Sequence, residues 1–188
     1  MFKKLFVAVL VSLFTVSNAH AFYDKNIPGG WRVLGDPGSE TQNPGCALIL
    51  TYDDGSEIQL IRDLKDGELF IWFKNNEWNI ADEIEKQYPM RINFYNSRGD
   101  VIGGNFQYQL VNKNTIVIRG LNIDDFIPPF MEMGTMKFIM EGNIENAIIP
   151  LEGTREGIKY LADCIKMYYD NPPKSQTPSI PEGIKQDI

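Results

Sequence analysis

Ile148-Ile149-Pro150-Leu151-Glu152-Gly153-Thr154-Arg155-Glu156-Gly157-Ile158-Lys159-Tyr160-Leu161-Ala162-Asp163-Cys164-Ile165 reads as a last strand, a turn and a closing helix. Thr154 suits the N-cap, where its side chain accepts a bond from an early backbone N–H. Ile158, Leu161, Ala162 and Ile165 follow the i, i+3, i+4, i+7 spacing of one buried stripe, and Cys164 falls on its edge. Only one other cysteine exists, Cys46, at the start of an early strand. A bridge between them closes almost the whole domain into one loop.

Working outward, strand signals fill the chain before this helix. Cys46, Leu48, Leu50 and Tyr52 alternate on one face, Asp53-Asp54-Gly55 supplies a hairpin turn, and Ile58 to Arg62 returns. Cys46 therefore points inward. Lys65-Asp66-Gly67 turns the chain into Leu69-Phe70-Ile71-Trp72-Phe73, five apolar residues with no polar face. Such a strand is either covered on both sides or presents an apolar stripe to a partner, and burial is the more usual outcome.

Arg91 to Tyr95, Phe106 to Leu110 and Ile116 to Ile118 continue the series, with Gly103-Gly104 read as a bulge or bend. Asp82 to Gln87 suggests one acidic helical turn. Asp124 to Gly134 reads as a short helix with proline near its first turn and glycine at its close. Thr135 to Met140 and Ile144 to Ile149 form a last hairpin around Glu141-Gly142-Asn143. Before Cys46, three Pro-Gly turns flank one short strand, Trp31 to Leu34, with Trp31 as a plug. Eight or nine short strands with glycine and asparagine turns specify a mainly β fold: an antiparallel sandwich or barrel with one C-terminal helix packed at its end.

The N-terminus carries Lys3 and Lys4, the apolar run Leu5 to Val16, and Ala19-His20-Ala21. This is the order of a secretory signal peptide, 1–21, cleaved after Ala21. The run falls well short of the roughly 20 residues a membrane-spanning helix needs. The domain then covers 22–170, and 171–188, rich in Pro, Ser, Lys and Gln, reads as a disordered tail. The product is expected in the periplasm or secreted, with no membrane span.

Two cysteines 118 residues apart, with no C-x-x-C, fit a structural bridge in an oxidising compartment better than a metal or redox site. Cleavage removes two lysines and no acid, so the formal charge moves from -7 to about -9. Nucleic acid needs a basic patch to replace counterions, so it is not an expected partner. Cleavage also removes His20, the only histidine. Histidine-dependent nucleophiles, histidine bases and histidine-ligated zinc go with it.

Candidate chemistry is sparse, and no cofactor or catalytic residue is assigned. Adjacent acids at Asp53-Asp54 and Asp124-Asp125 suit turns better than the separated carboxylates of a glycosidase or the alternating acids of a calcium loop. Arg98-Gly99-Asp100 matches an adhesion tripeptide, yet Gly and Asp are what any tight turn takes. Trp72 and Trp78, with Asp53 and Asp54, are the candidate binding surface. Tryptophans serve as groove linings less often than as core filling.

Trp31-Arg32-Val33, Cys46-Ala47, Trp78 and Leu151-Glu152-Gly153-Thr154 with Ile158, Leu161 and Cys164 resemble a group of small, uncharacterised exported proteobacterial proteins. Those share an early Trp and Cys and a closing Leu-x-Gly-Ser/Thr helix ending in Cys. A more distant similarity is to the invasion-associated B type of exported protein. The resemblance implies export and the Cys46 to Cys164 bridge, and carries no catalytic residue. The expected function is a non-enzymatic binding protein acting on another exported or envelope protein. Alternatives are an inhibitor or immunity protein against a basic secreted enzyme, and a carboxylate-based envelope hydrolase.

Overall fold

The computed structural model describes residues 21–38, 43–80, 83, 84, 86–140 and 147–171. The stretches expected from the sequence to be a signal peptide (1–21, all but Ala21), a disordered tail (171–188, all but Asn171) and a hairpin turn around residues 141–143, with part of the acidic segment 82–87, lie outside them. Ten antiparallel strands form one sheet: β1 Tyr23–Asn26, β2 Trp31–Asp36, β3 Gly45–Thr51, β4 Glu57–Asp63, β5 Leu69–Lys74, β6 Gln87–Tyr95, β7 Val101–Asn112, β8 Thr115–Ile118, β9 Thr135–Met140 and β10 Ile148–Pro150. Their order across the sheet is β1-β2-β3-β4-β5-β8-β7-β6-β9-β10. Helix α1 spans Ile123–Glu132 and α2 spans Thr154–Asp170, packed on β2 and β3 and against α1.

Side chains of a strand alternate between faces, so the register divides the sheet into two surfaces. Trp31, Leu50, Ile58, Phe73 and Ile116 fall in one row through successive pairings. All are buried in the main core. The sheet folds over this surface. Phe73 of β5 meets Phe138 of β9 with ring centroids 5.3 Å apart, although three strands separate them in the sheet. A chain of aromatic contacts runs from Trp31 to Phe130 of α1 at 5.8 Å, on to Phe126, and to Phe94 of β6 at 5.4 Å. Helix α1 is thus wedged between the two halves of the fold.

Cys46 and Cys164 form a disulfide. The bridge needs space on β2, and Gly35 supplies it: a Cβ there would lie 2.8 Å from the Cys164 sulfur and 2.7 Å from the Phe22 ring. Gly35 is paired with Cys46, so its bare backbone faces the bridge directly.

Several local expectations are corrected. Gly153, in the left-handed conformation, is the N-cap of α2, and no side chain caps that end. The Thr154 hydroxyl instead lies 2.7 Å from the Phe130 carbonyl oxygen and 2.8 Å from that of Leu151, tying α2 to α1 inside the core. The buried face of α2 is Thr154, Gly157, Leu161 and Cys164, so the stripe centres on the bridge; Ala162 is exposed. Burial follows the sulfur rather than the isoleucines. Asn122 caps α1 by accepting from the Asp124 N–H at 2.9 Å, and Pro128 and Pro129 sit in the second turn rather than the first. Strand β1, mostly polar and exposed, carries no strand signature of its own; β2 recruits it. Gly103-Gly104 runs straight through β7, and the irregularity falls between Leu110 and Asn112. Gln87 opens β6.

Candidate functional site

The four candidate surface residues divide between two places. Asp53, Asp54 and Trp78 meet at one end of the sheet. The β3–β4 turn is closed by the Tyr52 N–H donating to the Ser56 carbonyl and the Gly55 N–H to that of Tyr52, each at 2.9 Å. Asp54 accepts from the Ser56 N–H at 2.8 Å and from its hydroxyl at 2.7 Å. Asn76 then staples this turn to the loop after β5, donating from its side chain to the Asp54 carbonyl at 2.6 Å and from its backbone to the Ser56 hydroxyl at 3.0 Å. Two residues on, Trp78 is buried with its ring 4.9 Å from Phe73.

The electrostatics here favour a structural turn. The Ser56 hydroxyl and then the Ser56 N–H hold the Asp54 carboxyl below its usual range. A general acid requires the opposite direction. Among the described residues no group of three or more His, Cys, Asp or Glu side chains is placed to hold a metal ion.

Burial pushes the Tyr52 hydroxyl up to about 12, and the Asp54 charge adds to the effect. An unfolded tyrosine ionises near 10, so the folded chain keeps this proton over a higher pH range. Its contribution to stability is whole below about pH 10 and is lost as pH rises toward about 12. The Tyr52 hydroxyl has no hydrogen-bond partner, so Tyr52→Phe should leave stability at pH 7 within about 1 kcal/mol. Denaturant titrations at pH 9 to about 11.5 should show a shallower decline in the variant than in the parent.

Trp72 lies on the other surface of the sheet. Leu69, Ile71 and Phe73 of β5 enter the main core, while Phe70 and Trp72 point away from it. They join Leu34 of β2, Ala47 and Ile49 of β3, Ile61 of β4 and Val117 of β8 in a second apolar cluster spanning five adjacent strands. Gln59 lies within this surface, paired with both Ile49 and Trp72. Its amide nitrogen donates to Glu57, while its Oε1 has no partner. Charges ring the cluster: Arg32 with Asp24 at 2.8 Å, and Arg119 with Glu68 at 2.6 Å, the Arg119 guanidinium also lying 4.8 Å from the Phe70 ring centre.

Both described helices lie elsewhere: α2 packs on β2 and β3 from the core side, through the bridge. The six buried members of the cluster are nevertheless only 2 to 8% exposed, and Gln59 only 2%. Among the described residues, Ala21, Trp72 and Val111 are the partly buried apolar groups packed against them. The β5 run is therefore split, half of it core and half an outward stripe. The sequence signal for this was present in Phe70 and Trp72; what it lacked was any sign of which face the two described helices would pack on.

No family model, curated protein or solved structure matches this chain.

Proposed function

We propose that the protein is an exported, non-enzymatic binding protein whose working surface is the outer face of β2, β3, β4, β5 and β8. The observation that carries this reading is the second apolar cluster. A sheet surface opposite the one on which both described helices pack ordinarily alternates to polar residues. Here Leu34, Ile49, Phe70, Trp72 and Val117 take those positions. The unpaired Gln59 Oε1 in their midst calls for a hydrogen-bond donor on whatever covers them. The disulfide supports export, since such bridges persist in oxidising compartments. Among the described residues no helix is long and apolar enough to cross a membrane.

The partner that fits is another exported or envelope protein presenting an apolar segment with a donor group at its centre. The test is capture from periplasmic extract by the oxidised mature chain, with two variants beside it. Trp72→Glu should reduce recovery of a stoichiometric partner at least tenfold, because it places a charge in a desolvated centre. Asp53→Asn should leave recovery unchanged. Loss with Asp53→Asn and retention with Trp72→Glu would transfer the working surface to the turn.

A further inference from the structure

The outer surface of the sheet has a second half, on β7, β6, β9 and β10, distinct from the apolar cluster on β2, β3, β4, β5 and β8. We propose that this half binds an acidic polysaccharide, a polymer of uronic-acid sugars, through a site centred on Asn93 with Arg91 and Lys137 as its cations. It stands on residues separate from the apolar face and adds a second ligand to the protein partner proposed there.

Even-numbered residues of β6, β7 and β9, such as Ile92, Tyr108 and Phe138, enter the main core, so the odd-numbered ones face out. Among the described residues, the outward positions of β6, β7, β9 and β10 hold no Asp or Glu. In a chain with 25 acidic and 18 basic residues such a face is the exception. Arg91 and Lys137 lie on it, and neither has an ion-pair or hydrogen-bond partner among the described residues. The net negative charge of the chain repels polyanions at a distance. Screening over about 8 Å at physiological salt leaves the local cations to decide binding at contact.

The register gathers these groups around one point. Asn93 is paired with Lys137 on one side and with Gly103 on the other, and Arg91 lies two residues along its own strand. Arg91 and Lys137 are therefore diagonal neighbours, roughly 7 Å apart at their bases. That separation suits carboxylates on successive sugars better than one phosphate group. Asn93 is only 8% exposed; its Nδ2 donates to the Tyr95 hydroxyl at 3.1 Å, and its Oδ1 has no donor. Gly103 is exposed and is not in the left-handed conformation, so the backbone does not require a glycine there. What the glycine provides is space, because a Cβ would lie 2.2 Å from the Asn93 Oδ1. Glycine inside a strand weakens it and marks places where a ligand approaches the backbone closely. The face thus dips at Gly103, with an amide oxygen at the base of the dip that calls for a donor. Asn105 and Gln107, both exposed on β7, add further amide groups beside it.

Two requirements identify the ligand class. Arg91 and Lys137 call for carboxylates, which accept charge-assisted hydrogen bonds from them. The Asn93 Oδ1 calls for a neutral donor, which a sugar hydroxyl supplies. A uronic acid carries both on one rigid ring, whereas the carboxylates of an acidic peptide stand on mobile side chains away from its backbone N–H groups.

Calorimetric titration of the oxidised chain, purified after export, compares oligogalacturonate with dextran oligosaccharide, polyacrylate and poly-glutamate of matched length. Oligogalacturonate should bind about tenfold or more tighter than each of the others. Arg91→Ala and Lys137→Ala should each weaken it about fivefold or more, and Asn93→Ala about threefold or more, with melting curves showing each variant folded. Lys65→Ala, which removes the same charge from the β4–β5 turn, should leave it unchanged. Failure of oligogalacturonate to bind would overturn the proposal, as would equal binding of dextran. Equal binding of polyacrylate would mean a non-specific polyanion patch, and equal binding of poly-glutamate an acidic peptide site; either overturns it. Unchanged affinity in Asn93→Ala, or equal weakening by Lys65→Ala and Arg91→Ala, would also overturn the site.

Discussion

The chain carrying Cys46→Ala and Cys164→Ala together is expected to unfold with roughly 4 to 5 kcal/mol less free energy than the oxidised parent. The bridge spans 118 residues, and in the chain-entropy account a closed loop of that length restricts the unfolded ensemble by about this amount. For a domain of this size the corresponding fall in melting temperature is roughly 10 to 20 °C. Both cysteines are fully buried and lie between β3 and α2, so the variants also lose packing at the joint that holds the helix. Urea titration reads the result directly. The midpoint should fall, and the slope should rise because the unbridged chain exposes more surface when unfolded. A shift below about 1 kcal/mol would mean that α2 is held by its apolar face alone and that the bridge is incidental to stability.

The second large effect is expected at the join between the first and last turns. Gly153 has φ of +87°, and a Cβ there would lie 2.0 Å from the Pro28 carbonyl oxygen; Gly29, at φ +81°, would place its Cβ 2.2 Å from the Glu152 carbonyl oxygen. Each glycine is thus pressed against the backbone beside the other. Through them the turn before β2 touches the turn before α2, which positions Trp31 under α1 and Cys164 over Cys46. Alanine at either position must adopt a left-handed conformation costing about 1 to 2 kcal/mol. It must also push apart two backbones that have no flexible side chain to yield, a further 1 to 3 kcal/mol. Gly153→Ala and Gly29→Ala should each lower stability by about 2 to 5 kcal/mol in denaturant titrations. Gly99→Ala, at a hairpin tip with nothing within 4 Å of its Cβ, carries only the conformational cost and is the control.

The parts of this architecture that were legible in the sequence are those where one residue type answers to one cause. Gly55 at its hairpin turn, the alternation of Cys46, Leu48 and Leu50, and two lone cysteines at opposite ends of a domain each led to the observed arrangement. The parts that were not legible depend on partners distant in sequence. Thr154 looked like a cap because a hydroxyl before a helix usually is one. Its use was decided by the Phe130 carbonyl, 24 residues away on another helix. Strand β1 has no apolar alternation and exists because β2 offers it an edge. The five apolar residues of β5 left two readings open, and only the location of both helices on the core side separated Phe70 and Trp72 from Leu69, Ile71 and Phe73.

That same division explains why the tryptophans parted company. Trp78 follows a loop stapled to the Asp54 turn and serves as a lid on Phe73. Trp72 stands with Phe70 and aliphatic residues on a surface against which neither described helix packs. Its position is that of an anchor, a large amphipathic side chain at the centre of a patch with charges at the edge.

Hydroxyl-radical footprinting of the cleaved, oxidised chain, alone and with its captured partner, tests this account most directly. The expected result is labelling of the partly buried Trp72 in the free chain and its loss in the complex, while the buried Trp31 stays unlabelled in both. Trp72 protected in the free chain, or labelled to the same extent with the partner bound, would contradict the outer face as the working surface.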